Sequence, residues 1–234
     1  YRAASLITAK LIQKDFPNDT ASAYLLGIAY QGNKQFKAAI GEFQQAVEKN
    51  PTATASLTAL VKAFLALGRP DDALKWLNRV VQRAPGHAVA YNLKGEVLLS
   101  RKKFDQSIQA FRKAIDIQPK WDIPYSELAE VYLAKKDADD AMRAYEEGIK
   151  ATGYAQRLVL NLAALYEARG DHDSAIAQYD ELIDKYPSSM EAANNLAMML
   201  VTYKSDKPSL VRAKDLVRRL ENSTNPAYLD TLGW

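Results

Sequence analysis

Residues 20–51, TASAYLLGIAYQGNKQFKAAIGEFQQAVEKNP, contain two helical patterns joined by a short turn. The positions that define them are Leu26, Gly27 and Tyr30 in the first and Ala39, Phe43 and Ala46 in the second, which Pro51 closes. The same skeleton returns 34 residues later as Leu60, Phe64, Ala73, Leu77, Val80 and Pro85, and once more as Gly95, Leu98, Ser107, Phe111, Ala114 and Pro119. A constant period of this size indicates a stacked helical repeat array.

Each repeat consists of helix A, a short turn, helix B and a second short turn. We expect a half repeat with helix B at 1–19, full repeats at 20–53, 54–87, 88–121, 122–155 and 156–189, an irregular repeat with a longer A–B turn at 190–225, and the start of a further repeat at 226–234. The predicted fold is therefore an all-α solenoid of stacked antiparallel helix pairs. Since both ends fall inside a repeat, we also expect the chain to be a segment of a longer array.

Small residues recur at two places of the repeat, counted from its first residue. The eighth place holds Gly27, Gly95, Ala129, Ala163 and Ala197, and the twentieth holds Ala39, Ala73, Ala141 and Ala175. Small side chains at facing places allow helices A and B to approach closely. Gly68 and Gly170 fall in the A–B turn, where a positive φ suits glycine. Gly148 and Gly153 depart from the pattern, and we expect a looser helix end there.

The pattern resembles the tetratricopeptide repeat, W-x₂-L-G-x₂-Y followed by A-x₃-F and P. The matches are Leu26, Gly27, Tyr30, Ala39, Phe43, Ala46 and Pro51 in the first full repeat and Leu162, Ala163, Tyr166, Gly170, Ala175, Tyr179 and Pro187 in the fifth. The resemblance implies a right-handed α-solenoid (superhelix). It also implies a non-catalytic scaffold for protein–protein interaction.

In this family the A helices line the concave side, with the second, fifth, ninth and twelfth places facing inward. The candidate partner-binding residues are Tyr24, Ile28, Gln31, Thr58, Lys62, Asn92, Glu96, Ser126, Glu130, Asn161, Asn195 and Met198. Asn161 and Asn195 occupy the sixth place, where some family members hold peptide backbone with asparagines. The mixed polar and apolar character suits an extended peptide or a partner helix. Chaperone-binding members hold a terminal carboxylate with a clamp of lysine, asparagine and arginine side chains. In this sequence Lys62 lies at one of those places, and the other clamp residues are missing.

No set of residues converges on catalysis, a metal or a cofactor, so we predict none of these. The chain has no cysteine, which excludes disulfides and thiolate chemistry. His172 stands at a place filled by Phe36 and Phe104 in other repeats and is expected to be an aromatic turn residue. His87 follows Pro85 in a turn between repeats, and we expect it to be solvated.

Two alternatives to peptide binding remain open: a scaffold that oligomerises with itself, and a nucleic-acid-binding helical repeat. The net charge of +3 does not require a basic face, so nucleic acid is the weaker alternative. No apolar run is long enough for a membrane span of about 18 residues, so we expect no insertion by this segment. The stretches 194–197 and 226–234 resemble bacterial envelope proteins of exopolysaccharide and exosortase systems, which favours a bacterial periplasm or cell envelope, with the cytoplasm as the alternative.

Overall fold

The structure, a computed structural model, describes residues 2–204 and 206–220. The chain divides into two compact units, 1–118 and 119–234. The described elements are helical throughout: α1 Arg2–Asp15, α2 Thr20–Gly32, α3 Phe36–Lys49, α4 Thr54–Ala66, α5 Pro70–Arg83, α6 Ala88–Ser100, α7 Phe104–Ile117, α8 Ile123–Ala134, α9 Ala138–Thr152, α10 Gln156–Ala168, α11 His172–Lys185, α12 Met190–Met199, a π-helical turn Leu200–Lys204, and α13 Lys207–Arg218. The predicted all-α class of helix pairs is confirmed.

The first unit contains α1 to α7. Helices α2 and α3, α4 and α5, and α6 and α7 form hairpins, and each hairpin packs on the next through α3 against α4 and α5 against α6. Phe43, Leu60, Phe64 and Leu77 are at most 1% exposed and belong to one apolar cluster. Burial of side chains of this size contributes about 1.5–3 kcal/mol each. The cluster therefore joins neighbouring hairpins.

The second unit repeats this arrangement with α8 and α9, α10 and α11, and α12 and α13 as hairpins. Helix α9 packs on α10, and α11 packs on α12. Its apolar cluster includes Val159, Tyr179, Leu182 and Leu196. The described part of each unit is thus a row of hairpins that bury their apolar faces against one another.

Five A–B turns share one backbone geometry. The residue at the fifteenth place has a positive φ in each: 59° at Lys34, 66° at Gly68, 55° at Lys102, 65° at Lys136 and 78° at Gly170. In the third repeat the amide of Lys102 donates to Leu99 and that of Lys103 donates to Leu98, at 2.8 and 2.9 Å. This is the Schellman ending, which glycine adopts most easily. Three of the five turns hold a lysine instead.

Glycines permit the close crossing of helices within a hairpin. A Cβ atom at Gly27 would lie 2.4 Å from the Phe43 ring, and one at Gly95 would lie 2.6 Å from the Phe111 ring. Each phenylalanine ring thus occupies the space that a larger eighth residue would need, as the sequence predicted.

Gly148 is closely packed and Gly153 ends a regular helix, at the place where the sequence suggested a looser helix end. A Cβ atom at Gly148 would lie 2.6 Å from Leu158 and 2.7 Å from Tyr125, so this glycine admits two neighbouring side chains. Gly153 ends α9 with a φ of 72°. Gly148 thus permits tight packing, and Gly153 terminates the helix.

The last repeat lacks the usual A–B turn. Helix α12 continues into the π-helical turn 200–204 before α13 begins at Lys207, so the additional residues are partly helical. Ala213, which takes the twentieth place if the A–B turn is about four residues longer than in the other repeats, is buried at 2% exposure. The Tyr203 ring stacks on His172, with centroids 3.5 Å apart, and this contact accounts for the predicted aromatic role of His172.

Ion pairs connect successive repeats at a spacing of 30 or 31 residues. Each joins an aspartate at the eighteenth place to a cation at the end of the next helix A. The pairs are Asp71 with Arg101 at 2.8 Å, Asp139 with Arg169 at 2.5 Å and Asp173 with Lys204 at 2.5 Å. Helix-dipole preference alone does not explain these aspartates, because each also contacts the following repeat.

Candidate functional site

The A helices carry the predicted partner-binding residues at varying depth. Ile28, Lys62, Glu130 and Met198 are exposed, whereas Tyr24, Gln31, Thr58, Glu96, Asn161 and Asn195 are half-buried. Asn92 and Ser126 are buried, at 3% and 7% exposure. The accessible set is therefore smaller than the set proposed from the repeat register.

Asn92 and Ser126 form hydrogen bonds inside the protein. The amide of Asn92 donates to Glu96 on the same helix at 2.6 Å. The hydroxyl oxygen of Ser126 accepts from the Asn161 amide at 3.0 Å, which joins α8 to α10. The Ser126 hydrogen bond thus joins two A helices, whereas that of Asn92 stays within α6.

The two asparagines at the sixth place each bond a buried tyrosine. Asn161 hydrogen-bonds the phenol of Tyr145, and Asn195 donates to the phenol oxygen of Tyr179 at 3.4 Å. Burial raises the pKa of Tyr145 to about 12, so the phenol stays neutral. Each tyrosine lies 16 residues before its asparagine, at the twenty-fourth place of the preceding repeat. A tyrosine and an asparagine at this spacing are therefore a sequence signal for the hydrogen bond.

The twelfth place of helix A carries apolar residues that the sequence interpretation passed over. Leu65, Leu133 and Val201 are each 38% exposed. Leu65 and Leu133 lie three residues after the ninth place and therefore on the same helix face, whereas Val201 lies in the π-helical turn that continues α12. The buried core residues of helix A stand at the fourth, seventh and eleventh places. An apolar residue at the twelfth place is therefore not needed for the core and indicates a second, accessible row of apolar side chains.

The A helices of the two units differ in charge. Helices α2, α4 and α6 contain two lysines and one glutamate, and α8, α10 and α12 contain four glutamates and one arginine. The arginine, Arg157, lies 3.4 Å from Asp122. The second unit therefore presents acidic A helices, although the whole chain is slightly basic.

A cavity of about 510 Å³ lies between α9 and the α10–α11 turn. Its charged residues contact each other: Arg169 lies 2.5 Å from Asp139, and Arg143 pairs with Asp140. Burial raises the pKa of Tyr166, which also hydrogen-bonds Glu146. Internal pairing accounts for most of the charged groups of this cavity.

The two histidines lie in different units of the chain. The expectation that His87 is solvated is wrong, because it is only 9% exposed and burial lowers its pKa. Within residues 2–204 and 206–220, no three histidine or acidic side chains are grouped as metal ligands. Over the same residues, no helix combines the length and apolar character needed to cross a bilayer.

Sequence comparison identifies one family along the chain. Three family models, each described as tetratricopeptide repeat, match residues 30–97, 88–120 and 156–199. No curated protein sequence matches the chain.

Solved structures with the same arrangement of helices come from several bacteria. The C-terminal part of a TPR repeat-containing protein from Cytophaga hutchinsonii has a TM-score of 0.65 and 17% identity, over 99% of this chain and 94% of that one. PilF of Pseudomonas aeruginosa has a TM-score of 0.59 and 16% identity, over 92% and 96%. A thermophilic TPR protein of Thermus thermophilus has a TM-score of 0.54 and 21% identity, over 78% and 100%. At these identities the similarity shows the fold, and together with the family matches along the sequence it leads to one conclusion: the chain belongs to the tetratricopeptide repeat family.

Proposed function

We propose that this chain is a non-catalytic scaffold that binds a peptide segment or a partner helix on its A-helix faces, within a larger bacterial assembly. Tetratricopeptide repeat proteins generally mediate protein–protein interaction, and their fold is typically non-catalytic. One solved TPR protein with the same fold, YrrB, is described as having an unusual peptide-binding site. Part of the resemblance to envelope proteins falls in 226–234, outside the described residues.

The distribution of exposed apolar side chains is the main support for this proposal. The complete hairpins from α2 to α11 expose Leu25 and Ile28 on α2, Leu65 on α4 and Leu133 on α8. Over the same span the B helices α3, α5, α7, α9 and α11 expose no large apolar side chain. The terminal B helices α1 and α13 also expose large apolar side chains, namely Ile7, Leu11, Leu210 and Val211. Within the five hairpins from α2 to α11, however, the exposed apolar groups lie on A helices, which is typical of an interaction surface.

Site-specific photo-crosslinking tests the proposal. A crosslinking residue at 65 or 133, on A helices, is expected to attach partner peptides. The matched controls are positions 75 and 143 on B helices, whose side chains are 78% and 68% exposed. Adducts formed equally well from the controls would disprove the assignment of the A-helix faces.

Self-association is the second candidate, and α1 supports it. Ile7 and Leu11 are 62% and 57% exposed and lie one helical turn apart. The corresponding places of α3 hold Gly41 and Gln45. Light scattering should show dimers that disappear in the double variant Ile7→Ser with Leu11→Ser, whereas a monomeric parent protein would exclude this interface.

Our proposal does not include nucleic acid as a partner. The basic run on α13 is engaged with protein groups, since Arg212 lies 2.5 Å from Asp180 and Arg218 lies 3.3 Å from Asp215. Phosphate binding would make affinity fall steeply with salt. RNA or DNA binding with that salt dependence would contradict the proposal.

A further inference from the structure

The A helices of the second unit combine accessible apolar side chains with carboxylates. Leu133 and Met198 are each 38% exposed, and Leu160 is half-buried. Glu130 lies three residues before Leu133 and Glu167 lies near the end of α10, and both are exposed. Residues three apart are neighbours on a helix surface. The apolar side chain of Leu133 and the carboxylate of Glu130 are therefore neighbours on the surface of α8.

Three exposed carboxylates of these A helices have no cation nearby among the described residues. Glu130, Glu167 and Glu191 form no ion pair in the part of the chain that the structure describes. On the B helices of the same unit Asp139 has Arg169, Asp173 has Lys204 and Asp180 has Arg212. Over the described residues, the negative charge of Glu130, Glu167 and Glu191 is therefore not balanced by an ion pair, unlike that of these three aspartates.

One glutamate from each of the three A helices lies close to a buried phenol, either that of Tyr145 or that of Tyr179. Burial raises the pKa of Tyr145 to about 12, and Glu130 on α8 adds to this effect. Burial also raises the pKa of Tyr179, to which Glu167 on α10 and Glu191 on α12 contribute. These three glutamates therefore lie near the phenols that bond the asparagines of the sixth place.

The A helices of the first unit do not share this acidity. Their charged residues are Lys62, Lys94 and Glu96. Lys62 is exposed and forms no ion pair in the described chain. An acidic A-helix face is therefore specific to the second unit.

We propose that the A-helix face of the second unit, formed by the outward side chains of α8, α10 and α12, binds a lysine- or arginine-rich segment with apolar anchor residues. This inference rests on the proposed function and names the chemistry of the partner at one face. The anchors contact Leu133, Leu160 and Met198, and the cations pair with the exposed glutamates. Complementary charge of this kind mainly sets partner selectivity and association rate.

Binding of two matched synthetic peptides to the intact chain tests this inference. Both peptides are about five helical turns long with leucines at i, i+3, i+4 and i+7. One carries lysines at its remaining charged positions, and the other carries glutamates. Fluorescence anisotropy is expected to show that the lysine peptide binds at least about tenfold more tightly, with an advantage that shrinks as salt rises.

Two triple variants assign the binding to a face. Glu130→Gln, Glu167→Gln and Glu191→Gln together should weaken lysine-peptide binding about tenfold. The matched control, Glu147→Gln, Glu181→Gln and Asp184→Asn, removes the same charge from exposed positions of B helices and should leave the affinity unchanged. Circular dichroism checks that both variants keep their helicity.

Each unfavourable outcome separates this inference from the proposed function. Equal weakening by both triple variants would mean attraction to overall charge and would overturn the basic-segment inference. Tighter binding of the glutamate peptide, crosslinked from position 133, would overturn the inference and leave the proposed function standing. Peptides that crosslink only from position 143, on a B helix, would overturn both.

Discussion

Lysine is an uncommon residue in the left-handed backbone region, yet Lys34, Lys102 and Lys136 adopt it at the ends of A helices. A side chain in this conformation costs about 1 kcal/mol, a cost that glycine avoids. Gly68 and Gly170 hold the same place in other repeats. The tight turn is therefore set by the repeat geometry and tolerates the less favourable residue.

Replacement of Lys102 by glycine should increase the free energy of unfolding by about 0.5–1 kcal/mol, because it removes the strain of a φ of 55°. Urea denaturation measures the change. Lys103→Gly is the comparison, because its φ of −87° carries no left-handed strain; glycine there adds unfolded-state entropy and slightly favours the N-cap of α7. A gain at Lys103 and none at Lys102 would contradict the strain argument.

His87 should make stability depend on pH. Burial lowers its pKa below the usual 6.5, so the unfolded chain binds the proton more readily than the folded one. The free energy of unfolding is then highest above pH 6.5 and falls as the pH drops through that range towards the folded-state pKa. Urea denaturation at several pH values should show a smaller loss in His87→Gln, and an identical pH dependence in both proteins would refute the prediction.

At the scale of the helix pair, the decisive contacts are glycines under aromatic rings. Gly95→Ala should lower the free energy of unfolding by about 1–3 kcal/mol, because the new Cβ atom would lie 2.6 Å from Phe111. Gly41→Ala is the control: no atom lies within 4 Å of the new Cβ atom, and alanine favours the helix by up to about 1 kcal/mol. Thermal unfolding by circular dichroism separates the two, and similar melting shifts in both variants would disprove the packing argument.

Much of the helix pair could be predicted from the sequence, because the 34-residue period places large and small side chains at the same positions of every pair. Large residues at regular places, such as Leu60 and Phe64, identify the core directly. The burial of His87 and the tight packing at Gly148 could not be predicted, since each depends on which neighbouring side chain fills the space. The same limit applies to Asn92 and Ser126, whose register suggests exposure while the helix stack buries them.

At the scale of the molecule, each unit is held together by contacts between neighbours in the chain. Leu60→Ala should therefore destabilise its surroundings by about 2–5 kcal/mol. Hydrogen exchange followed by mass spectrometry should show faster exchange in α3 to α6, which share the apolar cluster of Leu60. Residues of α11 and α12, which belong to another cluster, should keep their protection. Uniform loss of protection along the chain would instead indicate a single cooperative unit.

The candidate interaction faces illustrate what sequence alone leaves open. Repeat register places Lys62 and Glu130 outward on A helices, where both are exposed. The unbalanced acidity of the second unit requires knowledge of which carboxylates have cations nearby, and ion pairs between repeats depend on three-dimensional packing.

The ion pairs between repeats also bear on how such a chain could have grown. The fifth repeat contributes Arg169 to one pair and Asp173 to the next, so a single copy holds both halves of the linkage. If the coding segment of this repeat were duplicated, the Asp173 of one copy could pair with the Arg169 of the next. No compensating substitution would be needed elsewhere. Lineages could thereby lengthen or shorten the array in whole steps while keeping every junction intact.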